Sequence, residues 1–313
     1  MAWSVCATGR RPTMSAVIPN TDLLHHLASL KRAEVARLQS AMAFSELEAS
    51  ALSEESPRNF FTAVTRHAGA SGEGGVSIIA DVSRKSASGA WLRPEFGGSP
   101  ASREALATLA RRYSQAGASA ISVPTDAGHL GGSLGDLRVV KEATDLPVLR
   151  RDLIVDPWQI WESRAAGADA VILTSEILPE GQLLDMLILA QRLGLTSLIE
   201  VHSMEHLLRV RHHVGFPHPS YCLLSISNRN AENLEPDLAT TLRLADMVED
   251  RGVLVSDAGV SASRDLARLR RVGVQIAIVG EALMASEDPA GALAMMLRPP
   301  ATENGAMPKV DFQ

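Results

Sequence analysis

A carboxylate able to remove protons, cations able to stabilise negative charge, and glycine turns able to admit an anion all occur in this 313-residue chain, each just after a short apolar run. Glu200 follows Leu198-Ile199. A carboxylate enclosed at such a position is a general-base candidate, because burial raises its pKa. Arg151 closes the run from Val148, and Arg229 follows the run from Cys222; a guanidinium there can clamp a carboxylate or hold an oxyanion. Asp257-Ala258-Gly259-Val260 and Val279-Gly280-Glu281-Ala282 supply turns where backbone N–H groups can approach an oxyanion. Ala258, Gly259, Gly280 and Glu281 are therefore the expected phosphate contacts. Asp81 to Gly89 adds hydroxyls at Ser83, Ser86 and Ser88 and charge at Lys85, which suits an anionic substrate. Lys85 lies two positions beyond Ser83 and would keep its inward direction if the strand continued. Ser227 and Asp257 complete the substrate-binding candidates. His202 is expected to point to the opposite side and pack under a helix. No His, Cys and Asp grouping has metal-ligand spacing and no G-x-S-x-G elbow occurs, so no metal is expected.

Such residues need rigid elements to bring them together. The apolar runs Ser77–Ser83, Ala120–Thr125, Val148–Asp152, Ala170–Ser175, Thr196–His202, Cys222–Asn228, Val253–Gly259 and Ile276–Gly280 read as eight strands, starting about 28 residues apart. Helical patterns lie between them: Arg103–Ala116, Trp158–Ala166, Gly181–Leu193 and Ala262–Val272 each end before a glycine, at Gly117, Gly167, Gly194 and Gly273. This spacing predicts an α/β fold, a (β/α)8 TIM barrel. An open doubly wound sheet is disfavoured, since no G-x-G-x-x-G follows the first strand. In such a barrel the strand C-termini share one mouth. The strand ends at Asp81, Ser83, Arg151, Asp152, Glu200, His202, Ser227, Asn228, Arg229, Asp257 and Gly280 would meet there.

Residues 21–76 read as an N-terminal helical extension, 77–298 as the barrel, and 1–20 and 299–313 as a flexible leader and tail. Thr21 and Asp22 can cap a first helix carrying Leu23, Leu24, Leu27, Leu30, Val35 and Leu38; Phe44 to Leu52 forms a second. Arg10-Arg11 lacks the apolar run of an export signal, and Met14 is an alternative start. The net charge of −6 without a basic block argues against nucleic acid. No stretch approaches the ~18 apolar residues of a membrane helix. Two cysteines, Cys6 and Cys222, fit a reducing cytoplasm better than a disulfide framework. The expected partner is a phosphorylated small molecule, with the chain a monomer or weak homo-oligomer. The 4% aromatic content fits small-residue α/β packing.

The segments LLHHLASLKRAEVARLQ, SPRNFFTAV, IIADVSRKSASG, GGSLGDLRVV, LPVLRRDLIVDPWQI, RAAGADAVIL, LIEVHSMEHL, ISNRNAENLEPDL, VSDAGVSASRDLARL and AIVGEALM together resemble the indole-3-glycerol phosphate synthase family, in order from about Leu23 to Leu297. That resemblance implies the same barrel with helices over its mouth. It also implies a cofactor-free carboxy-lyase that converts a carboxyphenylamino-deoxyribulose phosphate to indole glycerol phosphate by ring closure, decarboxylation and dehydration.

Position by position, the family's first-strand Glu and Lys fall on Asp81 and Ser83, and its third-strand Lys, which resembles the general acid, on Arg151. The sixth-strand Asn falls on Ser227, and the seventh-strand Glu-Ser on Asp257-Ala258. Glu200, Arg229 and Gly280-Glu281 are unchanged. Guanidinium holds its proton, so Arg151 implies an electrostatic stabiliser rather than an acid. His129, Leu130 and Leu153 stand where the family usually carries aromatic residues. The resemblance therefore implies a diverged paralogue with altered substrate or reaction. The alternatives are an impaired but ordinary family enzyme with Lys85 as acid, and a non-catalytic phosphate-binding or regulatory barrel.

Overall fold

The computed structural model describes residues 20–66, 75–86, 89–93, 95, 101–229 and 235–298. Eight parallel strands, β1 (Ser77–Asp81), β2 (Ala120–Pro124), β3 (Val148–Arg151), β4 (Ala170–Thr174), β5 (Thr196–Val201), β6 (Cys222–Ser227), β7 (Leu254–Asp257) and β8 (Ile276–Val279), close into a barrel in chain order. Because strand side chains alternate, one parity fills the interior and the other packs outward. Ile79, Ala120, Leu149, Ala170, Ile172, Leu198, Leu223, Val255, Ile276 and Ile278 form the inner core. Ile78, Ile121, Val171, Ile199 and Leu224 belong to the larger core shared with the surrounding helices. The inner parity then carries Asp81, Arg151, Glu200 and Asp257 upward into the mouth.

Three helices precede β1: α1 (Asn20–Ala41), α2 (Phe44–Ser53) and α3 (Phe60–Thr65). The first begins at Asn20, so Thr21 and Asp22 lie within its first turn rather than before it. A capping residue needs non-helical backbone, and the helix has already started there. Helix α3 lies within the expected helical extension, where only the first two helices were expected individually. Its Phe60 and Val64 join the inner core, with Asn59 capping the helix by accepting from the Thr62 amide at 2.8 Å. Six residues are too short for a periodic signal, but the pair Phe60-Phe61 before β1 was the available clue.

The barrel helices α4 (Ala101–Gln115), α5 (Leu134–Ala143), α6 (Pro157–Ala165), α7 (Glu180–Arg192), α8 (Met204–Val210), α9 (Ala239–Leu244), α10 (Ser263–Arg271), α11 (Glu281–Met284) and α12 (Pro289–Leu297) follow in order. Gly117, Gly167, Gly194 and Gly273 all take positive φ just after helices, as the left-handed helix terminus requires. Every expected strand ran one or two residues too far at its C-terminal end. Those extra residues leave the ladder to form the mouth loops, and apolar patterning cannot mark where a ladder stops. Among the described residues no helix is long and apolar enough to cross a membrane. Cys222 is buried, and burial pushes its thiol up to about 11. Cys6, the leader at 1–19 and the tail at 299–313 lie outside the described residues.

Candidate active site

The mouth holds a cavity of about 610 Å³ bordered by Asp81, Ser83, Lys85, Ser86, Arg151, Glu200, Arg229, Asp257, Ala258, Gly259, Gly280 and Glu281. At its floor Arg151 Nη2 donates to Asp257 Oδ2 at 2.7 Å. Burial opposes charge on this guanidinium, but Asp257, Asp81 and Glu200 outweigh it and hold the proton more firmly than usual. Arg150, of opposite parity, points outward to Asp152, Glu162 and Ser163. The adjacent arginines thus divide between a structural network and the cavity.

Asp81 accepts from both Ser83 Oγ and Ser122 Oγ. Burial pushes its carboxyl up, against the opposing pull of Arg151 and the two hydroxyls. The cation missing at Ser83 is therefore replaced by a hydroxyl turned onto Asp81. Gly280 closes the same corner: a Cβ there would lie 2.6 Å from Ser83 Oγ and 2.9 Å from Asp81 Oδ2. A side chain here would have to displace the Ser83 and Asp81 side chains from their present positions.

Glu200 lies opposite Thr174 in the β4–β5 register and accepts from Thr174 Oγ1 at 2.8 Å through Oε2. Its Oε1 lies 3.9 Å from His202 Nε2. His202 is a correction to the sequence reading, since it borders the cavity instead of packing under a helix. Strand alternation has a period of two, so positions 200 and 202 share a face. Moreover, β5 ends at Val201. Burial opposes charge on His202, but Glu200 and Glu176, with Asp257, raise its pKa to about 9.

Other expected residues fare differently. Lys85 borders the cavity, but β1 ends at Asp81, so no strand directs it. Its Nζ donates to the Gly128 carbonyl at 3.3 Å and lies 5.2 Å from the centre of the Trp91 ring. Ser227 is buried and does not border the cavity, although its parity is inward; its side chain is too short to reach past Asp257, its register partner. Arg229 Nη2 pairs with Glu281 Oε1 at 3.0 Å, joining the loop after β6 to the start of α11. Asn228 accepts from Thr241 and donates to Ser256 Oγ and the Ala258 carbonyl, fixing the β7 loop from outside. Ala258 adopts φ +68° and Gly259 φ +81°. A left-handed alanine costs about 1–2 kcal/mol, and such strain is concentrated at functional loops. The Ala258 amide donates to the Ile278 carbonyl at 3.3 Å, which leaves Gly259 and Gly280 as the better-placed anion contacts. Ser88 lies outside the described residues.

Helix α1 contributes Leu23, Leu24 and Leu27 to the cavity wall, where Leu130 and Leu153 also stand. The sequence showed this apolar stripe without its target. Lys31, buried beneath α1, reaches Asp126 at 2.6 Å and Asp152 at 3.1 Å. Burial disfavours its charge, but Asp152 and Asp126 raise its pKa above the usual lysine value. Lys31→Ala is expected to cost about 1–3 kcal/mol, because Asp152 keeps Arg150 and Asp126 keeps the His129 amide. Urea denaturation measures the cost. Limited proteolysis should show earlier cleavage within α1.

Away from the cavity, Glu180, His212 and His213 place ligand atoms within 4.8 Å of one another. The sequence reading missed this grouping because Glu180 lies on a different element. His213 Nε2 already pairs with Glu180 Oε1 at 2.9 Å, and Glu180 and His212 are exposed.

Residues 24–296 match the protein family described as Indole-3-glycerol phosphate synthase. The indole-3-glycerol phosphate synthase of Rhodospirillum rubrum is 36% identical over 268 residues, covering 86% of this chain and 96% of that one. That of Kineococcus radiotolerans is 39% identical over 220 residues, covering 70% and 75%. That of Verminephrobacter eiseniae is 36% identical over 280 residues, covering 88% and 98%.

Proposed function

The chain belongs to the indole-3-glycerol phosphate synthase family, and from this we propose that it is a carbon–carbon lyase acting on a phosphorylated arylamino-deoxyribulose type of substrate, with a substrate or reaction altered from the family's own. The observation that carries the reading is that Glu200 and Arg151 border one cavity, a carboxylate base in the field of a cation that cannot release its proton. Ring closure puts negative charge on the attacked carbonyl oxygen. Arg151 would stabilise that charge electrostatically, as preorganised cations do in enclosed sites. The loops at Gly259 and Gly280 would hold the phosphate at the far side of the ring-binding wall.

Three departures support an altered substrate. Ser83 supplies no cation, Asp81 and Asp257 are each one methylene shorter than the carboxylates they replace by resemblance, and His129, Leu130 and Leu153 give the aryl pocket an aliphatic and imidazole lining. Misplacing a reacting group by about 1 Å can cost on the order of a hundredfold in rate. A cytoplasmic location and a cofactor-free reaction belong to the same reading. The test is a panel of arylamino-deoxyribulose phosphates varied in the aryl ring, with products identified by mass spectrometry. At least one ring variant should be converted faster than the carboxyphenyl parent. Conversion of the parent alone, at the rate of the Rhodospirillum rubrum relative, would remove the altered-substrate reading.

A further inference from the structure

Among the described residues the cavity lacks an evident acid. Arg151 holds its proton, Asp81 is occupied by two serine hydroxyls, and Lys85 is held at the rim by the Gly128 carbonyl and Trp91. The attacked carbonyl oxygen must nevertheless be protonated once to become a hydroxyl and once more to leave as water.

We propose that His202 is the proton donor of this site, held in place and charged by Glu176 and coupled to the base Glu200. The inference rests on the lyase reading above and adds a residue to it. Three observations carry it. His202 borders the cavity beside Glu200, with Nε2 3.9 Å from Glu200 Oε1, one small side-chain movement from a hydrogen bond. Its other ring nitrogen, Nδ1, lies 3.2 Å from Glu176 Oε2, while Glu176 Oε1 accepts from the His202 backbone amide at 2.8 Å. The Glu176 carboxylate therefore anchors the His202 backbone by a hydrogen bond and lies beside the ring as its ion-pair partner, while the buried Nδ1 makes no hydrogen bond of its own and the side chain borders the cavity. Finally, Glu176 is itself largely buried and also lies 3.3 Å from His206 Nδ1. A buried carboxylate beside the His202 imidazole favours its protonated form.

The charged groups around His202 come from several elements. Glu176 lies in the loop after β4, Glu200 on β5, His206 on α8 and Asp257 on β7, with Arg151 on β3 sharing the Glu200 and Asp257 charges. Three carboxylates against one cation leave the imidazolium favoured, in keeping with the raised pKa of about 9.

The protons balance. As the carboxylate-bearing ring carbon bonds to the carbonyl carbon, the carbonyl oxygen takes a proton from His202 Nε2. Carbon dioxide then leaves that ring carbon, and the electrons of the broken bond restore the aromatic ring. One proton from solvent, matching the substrate's carboxylate charge, recharges His202, which then protonates the hydroxyl so that it departs as water. Glu200 removes a proton from the adjacent methylene, and passage of that proton to His202 restores the site.

The experiment compares turnover of carboxyphenylamino-deoxyribulose phosphate by the wild-type chain and by His202→Gln, following indole fluorescence from pH 6 to 10. Wild-type kcat should fall above about pH 9, where His202 loses its proton. His202→Gln should lower kcat on the order of 10²–10⁴-fold with KM little changed. Adding Arg151→Lys to His202→Gln should recover part of the loss, because a lysine there can release a proton. Glu176→Gln should move the alkaline limb to lower pH, a shift that a purely structural role would not give. Turnover by wild type that is equal in His202→Gln, with the same pH profile, overturns the donor and leaves the lyase reading standing. Absence of any wild-type turnover, on this substrate or its ring variants, overturns both.

Discussion

Replacing Arg151 with Ala should destabilise the protein by about 3–5 kcal/mol near neutral pH, the usual consequence of removing one partner from a buried ion pair. The cause is specific to the mouth. Arg151 is the cation paired directly with Asp257, and Asp81 and Glu200 also lie within its field. Asp81 is already pushed up by burial, and Arg151 is the strongest influence opposing that push. Without the guanidinium, the carboxylates remain buried beside one another. They can relieve this only by taking up protons, so the folded variant binds more protons than wild type. Its deficit should therefore shrink as pH falls toward about 5. Arg151→Lys keeps the charge and should retain most of the stability. Urea denaturation of the three proteins at several pH values checks the sign. A deficit that is constant with pH would mean that lost packing, not exposed charge, dominates.

Glu200→Gln should lower kcat on the order of 10²–10⁴-fold, the usual contribution of a positioned general base, while KM changes little. The amide keeps an oxygen to accept from Thr174 Oγ1, so the side chain should stay in place and only the base is lost. The same substitution has a second, independent signature. The pKa of His202 is raised from 6.5 to about 9, with Glu200 the largest influence raising it. A raised pKa contributes stability that is fully present below about 6.5 and is lost as pH rises through about 9. Removing the Glu200 charge should move the end of that window to lower pH. Wild type and Glu200→Gln should then differ least at high pH, as read from thermal or urea midpoints.

The barrel was legible in the sequence because its signals are local and repeated. Strands of the observed register begin close to where the apolar runs begin, and four glycines mark helix ends at the expected positions. The site was legible at Glu200, Arg151, Asp81, Asp257 and Gly280, because strand ends share a mouth in this fold and inner parity sets which side chains enter it. What escaped depends on contacts between distant segments. Glu176, Thr174 and Ser122 act through partners on other strands, and no spacing rule connects position 176 to 202. Nothing local marks Lys31 as buried, because Asp126 and Asp152 beneath it come from distant segments. The error at His202 was one of parity. Lys85 borders the cavity, but strand alternation does not place it there, since β1 ends four residues earlier and loops carry no alternation.

The central claim is that this cavity performs a decarboxylating ring closure with Glu200 and without a lysine acid. The most direct measurement is simultaneous detection of carbon dioxide and indole product from carboxyphenylamino-deoxyribulose phosphate with purified wild-type protein. Both products should appear in equal amounts, at a rate on the order of a hundredfold below that of the Rhodospirillum rubrum relative. Tight binding of that phosphate with neither product formed, on the parent or on any ring variant, would contradict the account and identify the chain as a binding protein built on this barrel.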